Sequence, residues 1–307
     1  VNVARNDAGV LIREAQESGD RAAVAELCRQ TLFPEDTRDE AGLDRILWLS
    51  HGNGGEERLV AERGGEIVGV AFGSWTVDVK SAISGFITVI AVADAHRRRG
   101  IGTALLAELE SRLWRAGAEM IWTGGSQPYF WWPGLDIRCD DALRLFTSNG
   151  YEVDEEVQNM SVVLSESAVS GYEPSDAHLQ RLSEEELPAF RAWMRATWED
   201  EWCREVERVL DREPISCFVA TDATGYLGFA AYNTNRLGWF GPMGTTQAAR
   251  GRGIGTALLR RCLRDYLSQG YDECKICWAG PAKFYVDAVG ASTDRVFARL
   301  RKNSLLK

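Results

Sequence analysis

The apolar positions of this chain switch period several times, and the switches come in the same order twice. Residues 58–73 (RLVAERGGEIVGVAFG) alternate apolar and polar around a glycine-containing turn, as do residues 217–232 (CFVATDATGYLGFAAY), and each stretch predicts a β-hairpin. A further strand-like run follows each hairpin, FITVIAV at 86–92 and LGWFGPMGT at 237–245. The spacing then becomes helical. Ile101, Leu105, Leu109 and Leu113 recur at intervals of four, and so do Ile254, Leu258, Cys262 and Tyr266, with Leu259, Leu263 and Leu267 widening the second stripe. Gly117 and Gly270 stand where a helix C-terminal glycine belongs. Strands EMIWT and ECKICWA come next. Helical stretches are expected ahead of the hairpins, at 21–32 and 39–49 in the first half and at 184–198 and 201–211 in the second. Helices, strands, helix, strand, helix, in duplicate, is an α/β layout with sheet and helices mixed in each half.

The duplication is literal at one point. RGIGTALL occupies 99–106 and again 252–259, a separation of 153 in a chain of 307 residues. Length and repeat together predict two domains, at 1–166 and 175–307, joined by a linker at 167–174 within the polar, turn-rich SESAVSGYEP. Apolar residues make up 45% of the chain, enough for two cores, but the longest apolar run, 86–93 with Thr88 inside it, is far short of a membrane span of ~20 residues. The first ten residues carry no basic stretch followed by an apolar segment, so a cytoplasmic protein is expected. A net charge of −10 argues against nucleic acid as a partner and is compatible with a cationic one. Seven cysteines, an odd and scattered set, do not form a disulfide framework. Cys274-x-x-Cys277 lies in a strand-like segment that puts the two thiols on opposite faces, with no second pair to complete a zinc site, and no metal is expected.

A strand that ends in a glycine-rich turn and feeds a helix exposes unpaired N–H groups at the positive end of the helix dipole, which is an anion site. The turns here are Arg97-Arg98-Arg99-Gly100-Ile101-Gly102-Thr103 and Arg250-Gly251-Arg252-Gly253-Ile254-Gly255-Thr256. Neither has the lysine of a nucleotide P-loop, and the dinucleotide fingerprint fails at Thr256. Both are similar to the Arg/Gln-x-x-Gly-x-Gly/Ala motif of the GNAT superfamily of N-acyltransferases, and strand, hairpin and the aliphatic continuation extend the resemblance over most of both halves. It implies two tandem GNAT-like domains, each a mixed, mostly antiparallel sheet flanked by helices, arranged as in mycothiol synthase-type tandem acetyltransferases. It also implies acetyl-CoA as co-substrate, with its pyrophosphate on the two turns.

In that family the strand before the turn splays, and its free amides hold the acetyl carbonyl. By position this implies Ile90 and Val92 in the first half, Met243 and Thr245 in the second. The family's proton donor to the leaving thiolate is a tyrosine, which corresponds to Tyr285 in GPAKFYVDAVGA; the first half has Phe146 at that place, which cannot donate. Catalysis is therefore expected in the second half. No carboxylate in either loop-preceding strand suits a general base. Glu199, Asp200 and Glu201 are candidates, though such a cluster reads better as a solvated turn, and His96, beside the arginines, reads as a surface residue, as His51 and His178 give no further signal. An aromatic insertion, QPYFWWPGLD at 127–136, either walls an acceptor pocket or packs against a neighbouring domain, with Trp193, Trp198 and Trp202 as further aromatic walls. The expected reaction is acetyl transfer from acetyl-CoA to a primary amine of a small molecule, an amino sugar or aminoglycoside-like compound. The alternatives are a protein or peptide acetyltransferase and a non-catalytic acyl-CoA sensor.

Overall fold

The computed structural model describes residues 4–5, 9–49, 54–78, 80–125, 131–171 and 173–304. In chain order the elements begin with β1 (Ala4–Arg5), β2 (Leu11–Glu14), α1 (Glu17–Thr31), α2 (Pro34–Thr37), α3 (Glu40–Trp48), β3 (Gly54–Arg63), β4 (Glu66–Val77) and β5 (Ile83–Val92). They continue with α4 (Ile101–Arg115), β6 (Met120–Thr123), β7 (Leu135–Asp136), α5 (Asp140–Ser148) and β8 (Glu152–Val163). The later part holds α6 (Glu166–Val169), β9 (His178–Arg181), α7 (Leu187–Thr197), α8 (Asp200–Leu210), β10 (Cys217–Asp222), β11 (Gly225–Tyr232) and β12 (Trp239–Thr245). It closes with α9 (Ile254–Ser268), β13 (Glu273–Ile276), α10 (Ala282–Val289) and β14 (Ser292–Asn303). Both hairpins and all four leading helices fall within a few residues of their sequence positions. Among the described residues no helix is long and apolar enough to cross a membrane.

The chain forms two compact units, Val1–Glu156 with Phe297–Lys307, and Val157–Val296. These differ from a simple cut at 166 and 175, and hydrogen-bond ladders are the reason. Arg301, Lys302 and Asn303 at the end of β14 pair antiparallel with β6, so the last strand of the chain completes the sheet of the first unit. Met160 to Val163 at the end of β8 pair with β13 and complete the second.

Each unit is an α/β structure with a mixed sheet. In the first, β2 to β5 run antiparallel and β5 meets β6 in parallel. In the second, β9 to β12 run antiparallel and β12 meets β13 in parallel. The predicted stripe of α4 buries Ile101, Leu105, Leu109 and Leu113 against Leu59, Ala71, Ile87 and Ile121, while α9 buries Ile254, Leu258, Cys262 and Tyr266 against Ala220, Ala230, Phe240 and Ile276. Each such leucine stabilises its unit by roughly 1.5–3 kcal/mol, which fixes the helix start relative to the strand that precedes it. On another face of the second unit, Phe190 and Met194 of α7 and Val206 and Val209 of α8 cover Val219, Phe229 and Ala231.

Both parallel pairings are short. Only Ser84 to Ile87 of β5 pair with β6, and only Trp239 and Phe240 of β12 pair with β13. A bulge explains the parting in each case. Thr88 is an extra residue on β5 between the pairs Phe72–Val89 and Gly73–Ile87, and Gly241 with Pro242 together oppose Ala231. A bulge bends its strand and sharpens the twist, so the rest of β5 and β12 turns away from its parallel neighbour.

Candidate functional site

Beyond the bulges, pleat alternation decides which amides are free. Ala93 N–H donates to the Val68 carbonyl and Thr246 N–H to that of Leu227, so in the registers that follow it is Ala91 and Gly244 whose backbone groups face β4 and β11. Ile90 and Val92, and likewise Met243 and Thr245, point their N–H groups toward the open side. These are the four positions singled out from the sequence. The Val92 carbonyl on that edge accepts from Arg97 Nε at 3.0 Å.

The two turns start their helices alike. Gly100 (φ 77°) and Gly253 (φ 75°) are left-handed N-caps, and neither helix has a side-chain cap. The first intrahelical bonds come from Ala104 to the Gly100 carbonyl and from Ala257 to that of Gly253, so the amides of Ile101, Gly102, Thr103, Ile254, Gly255 and Thr256 precede the ladder. A Cβ built on Gly100, Gly251 or Gly253 would meet no atom within 4 Å. The backbone is thus bare on the side from which an anion approaches, and these residues fit a pyrophosphate. The copies differ at one backbone position: Arg98 adopts φ 59° where the second turn has Gly251 at φ 78°.

The arginines are divided in their contacts. Arg97 pairs with Asp94 at 2.9 Å, and Arg98, largely exposed, with Asp141 at 3.4 Å. Arg99 and Arg250 are exposed. Arg252 turns to Asp176 at 2.9 Å and Asp222 at 3.5 Å, so its charge is compensated within the fold. Anion binding at the second turn therefore rests chiefly on main-chain amides.

Behind each helix start lies the following short helix. The Gly102 Cβ position faces Leu145 of α5 and that of Gly255 faces Phe284 of α10, which makes Phe146 and Tyr285 structural counterparts. Phe146 is 2% exposed and packs edge-on to Tyr151. Tyr285 is buried beside Phe240, ring centroids 6.4 Å apart, and the Cys277 N–H donates to the Phe240 carbonyl at the fork where β12 and β13 part. Burial, and secondarily the Cys277 sulfur, push the Tyr285 phenol up to about 12, so it keeps its proton throughout the neutral range.

The acidic cluster behaves as a surface turn: Asp200 pairs with Arg204 on its own helix, and Glu199 is exposed. One turn further along α8 is a carboxylate that sequence reasoning missed. Glu205 is 7% exposed and its Oε1 accepts from Asn235 Nδ2 at 2.5 Å and Thr234 Oγ1 at 3.2 Å. Thr234 Oγ1 also donates to the Gly241 carbonyl at 2.7 Å, tying the carboxylate to the β12 bulge. Burial pushes Glu205 up to about 7 against the pull of those hydrogen bonds and of Arg208. A signal was present: Glu205 falls with Trp202, Val206 and Val209 on the apolar stripe of α8. On the same face the Trp198 ring lies on Gly244, whose Cβ position is 2.5 Å from the indole, and Trp202 stacks beside it at 5.2 Å. Of the aromatic insertion, 126–130 and with them Gln127 to Phe130 lie outside the described residues; Trp131 and Trp132 are buried. His51 is also outside them.

A splayed strand edge followed by an uncapped, glycine-started helix defines an acyl-CoA-type cleft, and it occurs twice. The acetyltransferase (GNAT) family model matches residues 22–128 and again 179–285. The chain belongs to this family as an acyltransferase with two tandem GNAT domains, a family that uses acetyl-CoA as co-substrate. Among solved structures, a GCN5-related N-acetyltransferase from Sphaerobacter thermophilus superposes with TM-score 0.71 at 18% identity, over 98% of this chain and 97% of that one. A tandem GNAT protein from the clavulanic acid biosynthesis pathway gives 0.70 at 14% identity, over 96% and 98%. The glucosamine N-acetyltransferase region of a fungal multi-domain GH3 β-N-acetylglucosaminidase gives 0.78 at 17% identity over 95% of this chain, which spans only 38% of that protein. At these identities the likeness is one of fold. No sequence match is found among curated proteins.

Proposed function

We propose that the protein transfers the acetyl group of acetyl-CoA to a primary amine of a small molecule, and that transfer takes place in the second unit. The supporting observation is the coincidence there of the open Met243–Thr245 edge, the uncapped Gly253 turn and a protonated phenol, Tyr285. The thioester carbonyl accepts hydrogen bonds from the strand amides, which strengthen as the oxygen gains charge. The neutral amine nitrogen attacks the carbonyl carbon, the new C–N bond forms, the C–S bond breaks, the departing thiolate takes the Tyr285 proton, and the proton shed by the acylated nitrogen restores the phenol. The first unit has the turn and the edge but Phe146 in place of the phenol, and acts as a coenzyme-binding copy without transfer. An amino sugar is the favoured acceptor class, in keeping with the fungal glucosamine N-acetyltransferase region that shares the fold.

The test is thiol release from acetyl-CoA in the presence of amino sugars, aminoglycosides and peptide N-termini. Amine-dependent release is expected with the small amines, and Tyr285→Phe should lower kcat by roughly 10²–10⁴-fold with coenzyme affinity unchanged. No amine-dependent release across the panel would overturn the proposal.

A further inference from the structure

Acetyl transfer needs a group that removes a proton from the attacking amine, and the strand before each glycine turn carries no carboxylate for it. The second unit supplies one from a helix. Glu205 reaches the β12 bulge through Thr234, which bridges its Oε1 and the Gly241 carbonyl. Gly241 is two strand residues, about 7 Å, from Met243, where the open edge begins. Tyr285 packs in the cluster beneath α9, whereas Glu205 projects from α8, so the two flank β12 from its two faces. Among the described residues, the hydrogen bonds to Glu205 fall on Oε1.

Resting on the transfer reading above, we infer that Glu205 binds the acceptor as an ammonium ion and takes one of its protons, freeing the lone pair that forms the C–N bond. The acceptor class is then a primary amine that arrives as its ammonium ion and whose carbon skeleton lies against Trp198 and Trp202. Two protons leave the nitrogen: the first passes from the ammonium to the carboxylate and on to solvent, and the second, shed once the C–N bond has formed, restores the Tyr285 phenol after its own proton has gone to the thiolate, so each turnover begins and ends with the same protonation. Three other groups bear on the site: Arg208, further along α8, favours the ionised carboxylate, and Cys277, after β13, feels both Glu205 and Arg236 of the β11–β12 loop. The first unit acts as an internal control. Val60 and Val219 are equivalent hairpin positions, and counting back from them Glu205 corresponds to Ile46, a buried residue beside Phe72, Gly73 and the bulge residue Thr88. A unit without the phenol thus has an apolar residue at the helix position of Glu205, and the carboxylate near its bulge, Glu56, comes from β3 instead.

The experiment is the pH profile of kcat at saturating glucosamine, which does not carry the titration of the free amine, for wild type, Glu205→Gln and Asn235→Ala. Wild type should fall tenfold per pH unit below a limb near 7. Glu205→Gln should lose that limb and roughly 10²–10⁴-fold of the rate above it, keep its acetyl-CoA affinity by calorimetry, and recover in part with hydroxylamine, which is neutral at the assay pH. Asn235→Ala removes a hydrogen bond that favours the ionised form, so its limb should move to higher pH; this shift tests the assignment even if the Gln variant fails to fold. An active wild type whose Gln variant keeps both rate and limb, or an Asn235→Ala limb that does not move, would overturn the role of Glu205 alone. A wild type without amine-dependent release at any pH would overturn the transfer reading, and this one with it.

Discussion

Replacing Glu205 by Gln should make the protein more stable at alkaline pH while making it a worse enzyme. The carboxyl is held at about 7 against an ordinary 4.5, with burial as the leading cause. Because its value in the fold is raised, the folded chain keeps a proton that the unfolded chain gives up. Stability is therefore full below about pH 4.5, declines between 4.5 and 7, and stays reduced above 7. At ~1.4 kcal/mol per pH unit the whole loss is about 3 kcal/mol, a sizeable share of a domain's net stability. A glutamine has no such titration and still offers Oε1 to Asn235. The gain of the variant over wild type should thus be small at pH 4.5 and grow by about 3 kcal/mol by pH 8. Urea unfolding of both proteins at the two pH values, followed by tryptophan fluorescence because Trp198 and Trp202 lie on the same face, measures it. A difference between variant and wild type that is the same at both pH values would refute the reasoning.

The glycine turns and the terminal strand yield two further predictions. Gly253→Val and Gly100→Val place a β-branched side chain at φ near +75°, where the fold has room but the backbone is strained and an approaching anion meets a side chain. Calorimetry on wild type should count two acetyl-CoA sites and each variant should lose its own, with transfer abolished only by Gly253→Val; unaltered binding in either would refute the main-chain grip at that turn. Ending the chain at residue 296 removes Phe297 and Leu300, both fully buried, together with the ladder to β6. At roughly 1.5–3 kcal/mol for each side chain, the first unit should lose its cooperative unfolding transition in calorimetry, and an unchanged transition would show that this strand is dispensable.

Local periodicity carried most of the architecture. The α4 and α9 stripes, both hairpins and the two turns are each written in a few contiguous residues, and the open amides of Ile90, Val92, Met243 and Thr245 follow from the register those segments adopt. The exchange of terminal strands could not be read in this way. Residues 297–303 look like the natural end of the second repeat, and only a ladder to Met120–Thr123, almost 180 residues earlier, assigns them to the first unit. Glu205 is an intermediate case. Its position on an apolar stripe is legible, but its meaning depends on Thr234 and Asn235, about 30 residues away in a loop whose residues are themselves buried. Arg252 shows the converse: its place in the motif suggests a phosphate ligand, and only the fold reveals that it also pairs with Asp176 and Asp222.

The two repeats have diverged unevenly, and the unevenness bears on function. Eight consecutive residues at the anion turn are identical, down to a left-handed glycine N-cap with the same φ within a few degrees. The positions that would handle protons have both changed, Glu205 against Ile46 and Tyr285 against Phe146, and each replacement in the first unit is a well-packed apolar residue. A turn needed only to connect a strand to a helix would not require open space above Gly100, nor tolerate Arg98 in a conformation that costs a non-glycine residue of order 1 kcal/mol or more. If transfer is confined to the second unit as proposed, that strain persists where the chemistry has gone, and gripping the coenzyme is then useful to the first unit in itself. Coenzyme bound there would act on the folded state by mass action: at a hundredfold excess over Kd it would add about 2.7 kcal/mol to the unit that also depends on residues 297–307 for its sheet.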